Sequence, residues 1–318
     1  MVCRCLMEEV LPGIPHLLNR ELSFLIREIL TNILHLLWDM VSTLDNGVGG
    51  VVVGKKNIKL TGYNGMLGES LTAIRHKNRE DFWIVAAGRG NPAYLNVWMV
   101  NSAGVAVTPH QKFSTGVNIP AVENPGGYIA SSWEGDKYVW CNYVTEAVTN
   151  HVCRLFGAFD SETGMIQNVK RRNLGTYATF GAPYGAAFSK SGEYVYVTGL
   201  AGALNNKNNS ALAVFKFKDL MNAANPSTVV PIKLIEAGKG LPNNGVNEHF
   251  GALGLAPNGY LYIIHCFSRN IYAITNPDDP TNMKIYKLAN ITPVGTNSIF
   301  GISTVAAPWF RFQIVPPP

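Results

Sequence analysis

The stretch GAPYGAAFSKSGEYVYVTG, residues 181–199, reads as two short strands folded on a glycine turn. Ser191-Gly192 lies between two apolar runs, and glycine accepts the positive φ that short hairpin turns demand. In Tyr194-Val195-Tyr196-Val197 the aromatics fall on one face and valines on the other, as expected of a strand buried between stacked sheets. The same pattern returns along the chain. Opening segments read ESLTAIRHKNREDF (69–82), GYIASSWEGDKY (127–138), PYGAAFSKSGEY (183–194) and HFGALGLAPNGY (249–260). The strands that follow are FWIV (82–85), YVWC (138–141), YVYV (194–197) and YLYI (260–263). Third strands read LNVWMV (95–100), CRLFGAF (153–159), ALAVFKF (211–217) and NIYAIT (270–275). Anchored on Phe82, Tyr138, Tyr194 and Tyr260, the unit recurs at 56, 56 and 66 residues.

Antiparallel four-stranded sheets repeated at about 40–50 residues or somewhat more are the signature of β-propeller blades. The expected fold is therefore all-β, with four full blades over residues 36–318. Two half blades flank them. Leu36 to Val41, the turn Asn46-Gly47 and Gly49 to Leu60 read as the end of one blade, and Ile299 to Thr304 as the start of another. Strands from both termini can complete one blade and leave no free edge, which predicts a five-bladed ring or an incomplete one. Residues 1–35 differ in kind. Leu22, Leu25, Ile26, Ile29, Leu30, Ile33, Leu34 and Leu37 recur at spacings of three and four, predicting an amphipathic helix packed on the propeller. Its uncharged run, Ile29 to Trp38, is shorter than the ~20 residues that span a bilayer. Glu8 and Glu9 occupy the place of a signal peptide's basic region, so no export signal is expected here.

Composition narrows the function. With 47% hydrophobic residues, 15% charged residues and a net charge of +5, the chain is neither disordered nor a polybasic nucleic-acid binder. Cys3 and Cys5 form a lone C-x-C, too little for a zinc site. Asn276-Pro277-Asp278-Asp279-Pro280 reads as a rigid turn without the alternating ligands of a calcium loop, and no glycine pattern forms a phosphate cradle. Neither metal nor cofactor is expected. Cys141 and Cys153 flank a hairpin centred on Ala147 and are expected opposite each other, as a cross-strand disulfide or as two buried thiols.

Aligned inner strands place Ser70, Tyr128, Tyr184, Phe250 and Phe300 in one column at a tunnel mouth, with Glu69 and His249 among the residues just before them. The column reads either as packing of narrow inner strands or as a stacking platform for a sugar or peptide. Glu69 and His249 could act as base and acid only if they lie within hydrogen-bond reach. His265 is expected in a buried strand, His76 in a solvated loop, and Lys170-Arg171-Arg172 as a surface cluster.

Several ordered stretches resemble a known family: LWDMVSTLDNGVGGVVVGKKNIKL (37–60), ESLTAIRHKNREDFWIVAAG (69–88), residues 181–199, ALGLAPNGYLYIIHCFSRNIYAITNPDDP (252–280) and FGISTVAAPWF (300–310). Together they look like the WD40-like propeller of secreted bacterial surface proteins associated with gliding motility. The resemblance implies surface display, adhesion and an extracellular location, with a glycan or protein as partner and no catalytic residues. It also implies an export signal, further N-terminal blades and a C-terminal sorting domain, so residues 1–35 are expected to mark a truncated or misassigned start. The stretch 181–199 also resembles lactonase-type propellers, which makes hydrolysis in the central channel the alternative function.

Overall fold

The computed structural model describes residues 22–29, 35–42, 50–51, 54, 57–119, 127–142, 153–173, 182–200, 210–236, 250–266 and 268–291. They form five antiparallel sheets. The N-terminal sheet holds β1 (Leu22–Ile29), β2 (His35–Ser42), β3 (Gly50–Val51) and β4 (Ile58–Lys59). Blade 1 holds β5 (Met66–Arg75), β6 (Phe82–Arg89), β7 (Tyr94–Asn101), β8 (Gly104–Val105) and β9 (Gln111–Ser114). Blade 2 holds β10 (Gly127–Ser131), β11 (Lys137–Asn142), β12 (Cys153–Asp160) and β13 (Met165–Asn173). Blade 3 holds β14 (Ala182–Phe188), β15 (Tyr194–Leu200), β16 (Ala211–Lys216) and β17 (Lys233–Glu236), with helix α1 (Phe217–Asn222) and a 3-10 turn (Pro226–Thr228) before its last strand. Blade 4 holds β18 (Phe250–Leu255), β19 (Leu261–His265), β20 (Ile271–Thr275) and β21 (Lys284–Leu288). Blades 2 to 4 are simple up-and-down meanders, and the inner strands β5, β10, β14 and β18 each pack on the next. This is a propeller of four full blades, with a fifth sheet before them. The trailing half blade expected at Ile299 to Thr304 lies outside the described residues.

Alternation along each strand sends its side chains to opposite neighbours, which is why both faces are apolar. In β11, Tyr138 and Trp140 enter a cluster shared with Trp83, Val85 and Leu95 of blade 1. Val139 and Cys141 of the same strand enter a cluster shared with Phe188 and Val197 of blade 3. Tyr196 of β15 then faces Phe250 and Tyr272 of blade 4. Thin surface charge follows from this layering, since the strands are buried between blades.

Two sequence expectations are corrected here. Leu22–Ile29 is a strand, not a helix, paired with β2 from Leu22 opposite Ser42 to Ile29 opposite His35. A short apolar run satisfies helical and extended spacing alike, and the unpaired backbone groups of β2 supply the partner that decides between them. The repeat is also offset by one residue in its second half. Inner-hairpin turns are closed by equivalent bonds, Arg79 N to His76 O (2.9 Å), Gly135 N to Ser132 O (3.0 Å), Gly192 N to Ser189 O (2.9 Å) and Gly259 N to Ala256 O (2.9 Å). Measured from Asp81, Lys137, Tyr194 and Tyr260, whose carbonyls accept from the N–H groups of His76, Ser132, Ser189 and Ala256, the equivalents of Phe82 and Tyr138 are Val195 and Leu261. Tyr194 and Tyr260 come one position earlier, and a one-residue step changes face. Hence Tyr138 is 1% exposed and Tyr260 39%.

Three of these four turns carry glycine at φ between +69° and +80°, whereas blade 1 places Arg79 there at φ +68°. A left-handed conformation costs an L-residue about 1–2 kcal/mol. Arg79→Gly is therefore expected to stabilise the chain slightly, by about 0.5 kcal/mol after the added chain entropy of glycine is subtracted. A higher urea midpoint at unchanged slope is the result to look for; a lower midpoint would show that the arginine side chain outweighs the backbone strain.

Candidate functional site

The inner strands begin on the face where β11, β13, β15 and β17 end. On the opposite face lie the tight inner-hairpin turns. Ser70, Tyr128, Tyr184 and Phe250 all sit near that first face and all are buried. The Ser70 hydroxyl accepts a hydrogen bond from Trp140 Nε1 at 3.1 Å. Tyr128 and Tyr184 belong to the cluster between blades 2 and 3. The Phe250 ring meets Tyr272 edge-on with centroids 5.9 Å apart, and its backbone N–H donates to Ser210 Oγ at 2.9 Å. Glu69 lies on β5, but its side chain is outside the described part of the structure, as are His249 and Phe300 entirely. The proposed acid and base are thus not among the described groups.

What the structure brings together at this face is a set of inter-blade stitches. Thr198 Oγ1 accepts from Gly185 N at 3.0 Å and donates to Gly251 O at 2.6 Å, tying β14 and β15 to β18. Cys141 holds the equivalent place one blade earlier, its thiol donating to Gly185 O at 3.6 Å. Ser210 Oγ donates to Gly199 O at 2.7 Å while accepting from Phe250. Small hydroxyl and thiol groups serve because they reach backbone carbonyls in gaps too narrow for longer side chains.

Cys141 is a free, buried thiol. Burial pushes its pKa up, and the charge and hydrogen bond of Arg154 pull against that without reversing it. A disulfide to Cys153 is not formed: β11 pairs Cys141 with Arg154, and Cys153 pairs with Asn173 on the other side. Burial raises the thiol of Cys266, also free, to about 12. Its neighbour His265 is buried as expected, tilted on Tyr272 with centroids 5.6 Å apart.

Among the buried charged residues that sequence reasoning missed, beside Arg89, are Arg154 and Arg172. They are direct partners across β12 and β13, 3% and 6% exposed. The Lys170-Arg171-Arg172 triplet is therefore not a surface cluster throughout. Asn168 has φ +53° and the β12–β13 register shifts between Phe156 and Ala158, so the in-out alternation of β13 changes midway. Arg172 Nη1 donates to Pro226 O, and its guanidinium lies 4.7 Å from the Phe215 ring centroid. Arg154 Nη2 donates to Thr198 O at 3.4 Å.

The opposite face is stitched by its turns. Lys77 N donates to Ser161 O at 3.1 Å, and Trp83 Nε1 to the same carbonyl at 2.9 Å. His76 lies against Trp83 of its own blade at 5.4 Å between centroids, and its loop touches blade 2 through Lys77 N. Ser191 N and Oγ both donate to Asp278 Oδ1, joining blades 3 and 4. In the turn at Asn276 to Pro280, Asp279 Oδ1 accepts from Thr281 N at 3.2 Å. Partial burial would raise the Asp278 pKa, but the Ser191 and Ser189 hydroxyls and the Ser191 N–H hold it below its ordinary value. A carboxylate depressed in the folded state stabilises above its unfolded pKa, about 4, and that stabilisation is lost as pH falls through the lower folded value. Ser191→Ala should therefore lower the urea midpoint at pH 7 and reduce its loss on acidification. An acid limb identical to the parent's would show that Asp278 does not contribute to it.

Among the described residues no group of three or more His, Cys, Asp or Glu is placed to hold a metal ion, and no helix is long and apolar enough to cross a membrane. No protein-family model matches this chain, and no curated protein sequence does. Its likeness is to solved propellers. The periplasmic gluconolactonase PpgL of Pseudomonas aeruginosa superposes with a TM-score of 0.50 at 11% identity, over 84% of this chain and 69% of that one. The Dos1 propeller gives a TM-score of 0.49 at 13% identity over 88% of this chain, which spans 63% of the Dos1 chain. Streptogramin B lyase gives 0.39 at 12% identity, over 83% of this chain and 68% of that one. At 11% identity the likeness to PpgL bears on the fold alone, and it agrees with the β-propeller seen in the sheets of this chain.

Proposed function

We propose that this chain is a non-catalytic binding or scaffold propeller of a bacterial surface or secreted protein, contacting a glycan or protein partner. The observation that carries this reading is the bonding of each blade to the next, which makes one frame of them. Inter-blade bonds of Thr198, Ser210, Cys141 and Trp140 tie neighbouring blades together near the face on which all four inner strands begin. A bonded frame that carries loops between its strands is the usual way a repeat fold presents a binding surface. Gliding-motility association, adhesion and an extracellular location belong to the same proposal and come from the family resemblance of the quoted stretches. The resemblance of residues 181–199 to lactonase-type propellers keeps lactone hydrolysis as the alternative.

The purified chain on a glycan array, and in a pull-down from bacterial envelope fractions, should show saturable binding. Replacing residues 237–249 by a short Gly-Ser linker should weaken that binding at least tenfold without moving the thermal midpoint. Opening of gluconolactone faster than the spontaneous rate, measured in parallel, would reject the non-catalytic reading in favour of the alternative.

A further inference from the structure

We infer that the flank of blade 4 turned away from blade 3 binds an extended, β-linked acidic glycan, stacked on Tyr262 and Tyr286 with a carboxylate toward Lys284. The inference rests on the reading of the chain as a glycan binder, and it moves the sugar away from the tunnel mouth, where Tyr128, Tyr184 and Phe250 are only 8%, 4% and 0% exposed. Alternate residues of a strand take opposite faces. In blade 4, Leu261, Ile263, Tyr272 and Ile274 pack toward blade 3. On the other face Tyr262, Ala273 and Tyr286 pair in one row across β19, β20 and β21. Thr275 and Lys284, also paired, stand one step further along that face, and Tyr260 precedes Tyr262 by two residues. In the repeat Tyr262 corresponds to Trp83, Val139 and Tyr196, which the following blade covers to 2%, 2% and 0% exposure. Here the face stays accessible, with Tyr262 half-buried, Tyr260 39% exposed and Tyr286 47% exposed.

Phenol rings on a sheet with a small residue between them make a track for sugars, whose flat C–H faces stack on aromatic rings. Tyr262 and Tyr286 stand two strand spacings apart, about 10 Å, which is the repeat of two rings in an extended β-1,4-linked chain. Alternate sugars then rest on the two tyrosines while the ring between them passes over Ala273. Asn258 Nδ2 donates to the Tyr262 hydroxyl at 3.0 Å and fixes that side of the track. Charge on this face has one sign. Its described strand residues include the exposed Lys284 and no carboxylate, while Asp278 in the adjoining turn is bonded to Ser191 of blade 3 and Asp279 to Thr281 and Asn282. A uronate carboxylate beside the track therefore meets a cation rather than a like charge.

The test is calorimetric titration of the full chain with a hexamer of β-1,4-linked mannuronate, against neutral cellohexaose, run beside the glycan array. Saturable binding with the acidic hexamer preferred is expected. Tyr286→Ala should weaken it roughly tenfold and Tyr286→Phe by less than about twofold. Lys284→Gln should remove the preference over cellohexaose, a loss of roughly three- to fivefold at low salt. Hexamer binding that neither Tyr286→Ala nor Lys284→Gln weakens puts the glycan elsewhere and overturns the inference while the glycan-binding reading stands. No hexamer binding by the parent also overturns it, and the array then judges the reading separately, since saturable binding of any other glycan keeps that reading. A lowered urea midpoint in Tyr286→Ala with unchanged hexamer affinity shows a face packed within the chain itself and overturns the inference as well.

Discussion

Gly185→Ala is expected to destabilise the propeller by about 2–4 kcal/mol, although it adds a single methyl group. A Cβ at this position would stand 2.5 Å from Gly251 O, 2.6 Å from Thr198 Oγ1 and 2.8 Å from Ala252 Cα. Two of the three neighbours are backbone atoms of the next blade's inner strand, so no rotamer change can make room. The methyl would also part the hydroxyl of Thr198 from Gly185 N and Gly251 O, the two groups it bridges. A substantially lower urea midpoint is the measurement; an unchanged midpoint would mean that blades 3 and 4 can separate at little cost, contrary to a rigid frame.

Trp140→Ala should have a comparable or larger effect, about 3–5 kcal/mol, the usual range for removing a fully buried large aromatic. Trp140 is completely buried between blades 1 and 2, among Ile74, Leu95 and Leu155. Part of its contribution is polar, because its indole N–H reaches Ser70 across the blade boundary. A double-mutant cycle of Trp140→Phe with Ser70→Ala isolates that bond, and a coupling of about 0.5–1.5 kcal/mol is expected. Zero coupling would assign the whole effect of Trp140 to packing. The same result would leave Ser70 without a stabilising partner in Trp140.

How much of the site was readable before the fold was known varies by residue. Tyr128, Tyr184 and Phe250 can be assigned to inner strands from their repeat positions alone, and there they are found. Their burial depends on neighbours from other blades and has no signature within one repeat. Arg154 and Arg172 went unnoticed because an isolated basic residue or a basic triplet is usually solvated. Only the irregularity at Asn168, together with the pairing of β12 and β13, turns both toward blade 3. The Cys141–Cys153 pairing failed for a comparable reason. Paired positions of that hairpin sum to 295, as Cys141 with Arg154 does, rather than the 294 that a symmetric hairpin on Ala147 assumes.

Local rules therefore carried the architecture. Period-two alternation, glycine at positive φ and the return of one unit are properties of neighbouring residues, so the first three strands of each blade could be located from sequence to within a few residues, whereas the outer strands β9, β13, β17 and β21 were not located. Register, face and partner are properties of residues far apart in the chain. Leu22–Ile29 became a strand because β2 lies beside it, Val195 rather than Tyr194 took the inward place because a turn is one residue out of step with its repeat, and two arginines met because a bulge changed face. Extended strands leave each of these choices open, since either face and either neighbour satisfies the same local backbone geometry, and the choice is made by long-range hydrogen bonds and by packing between blades.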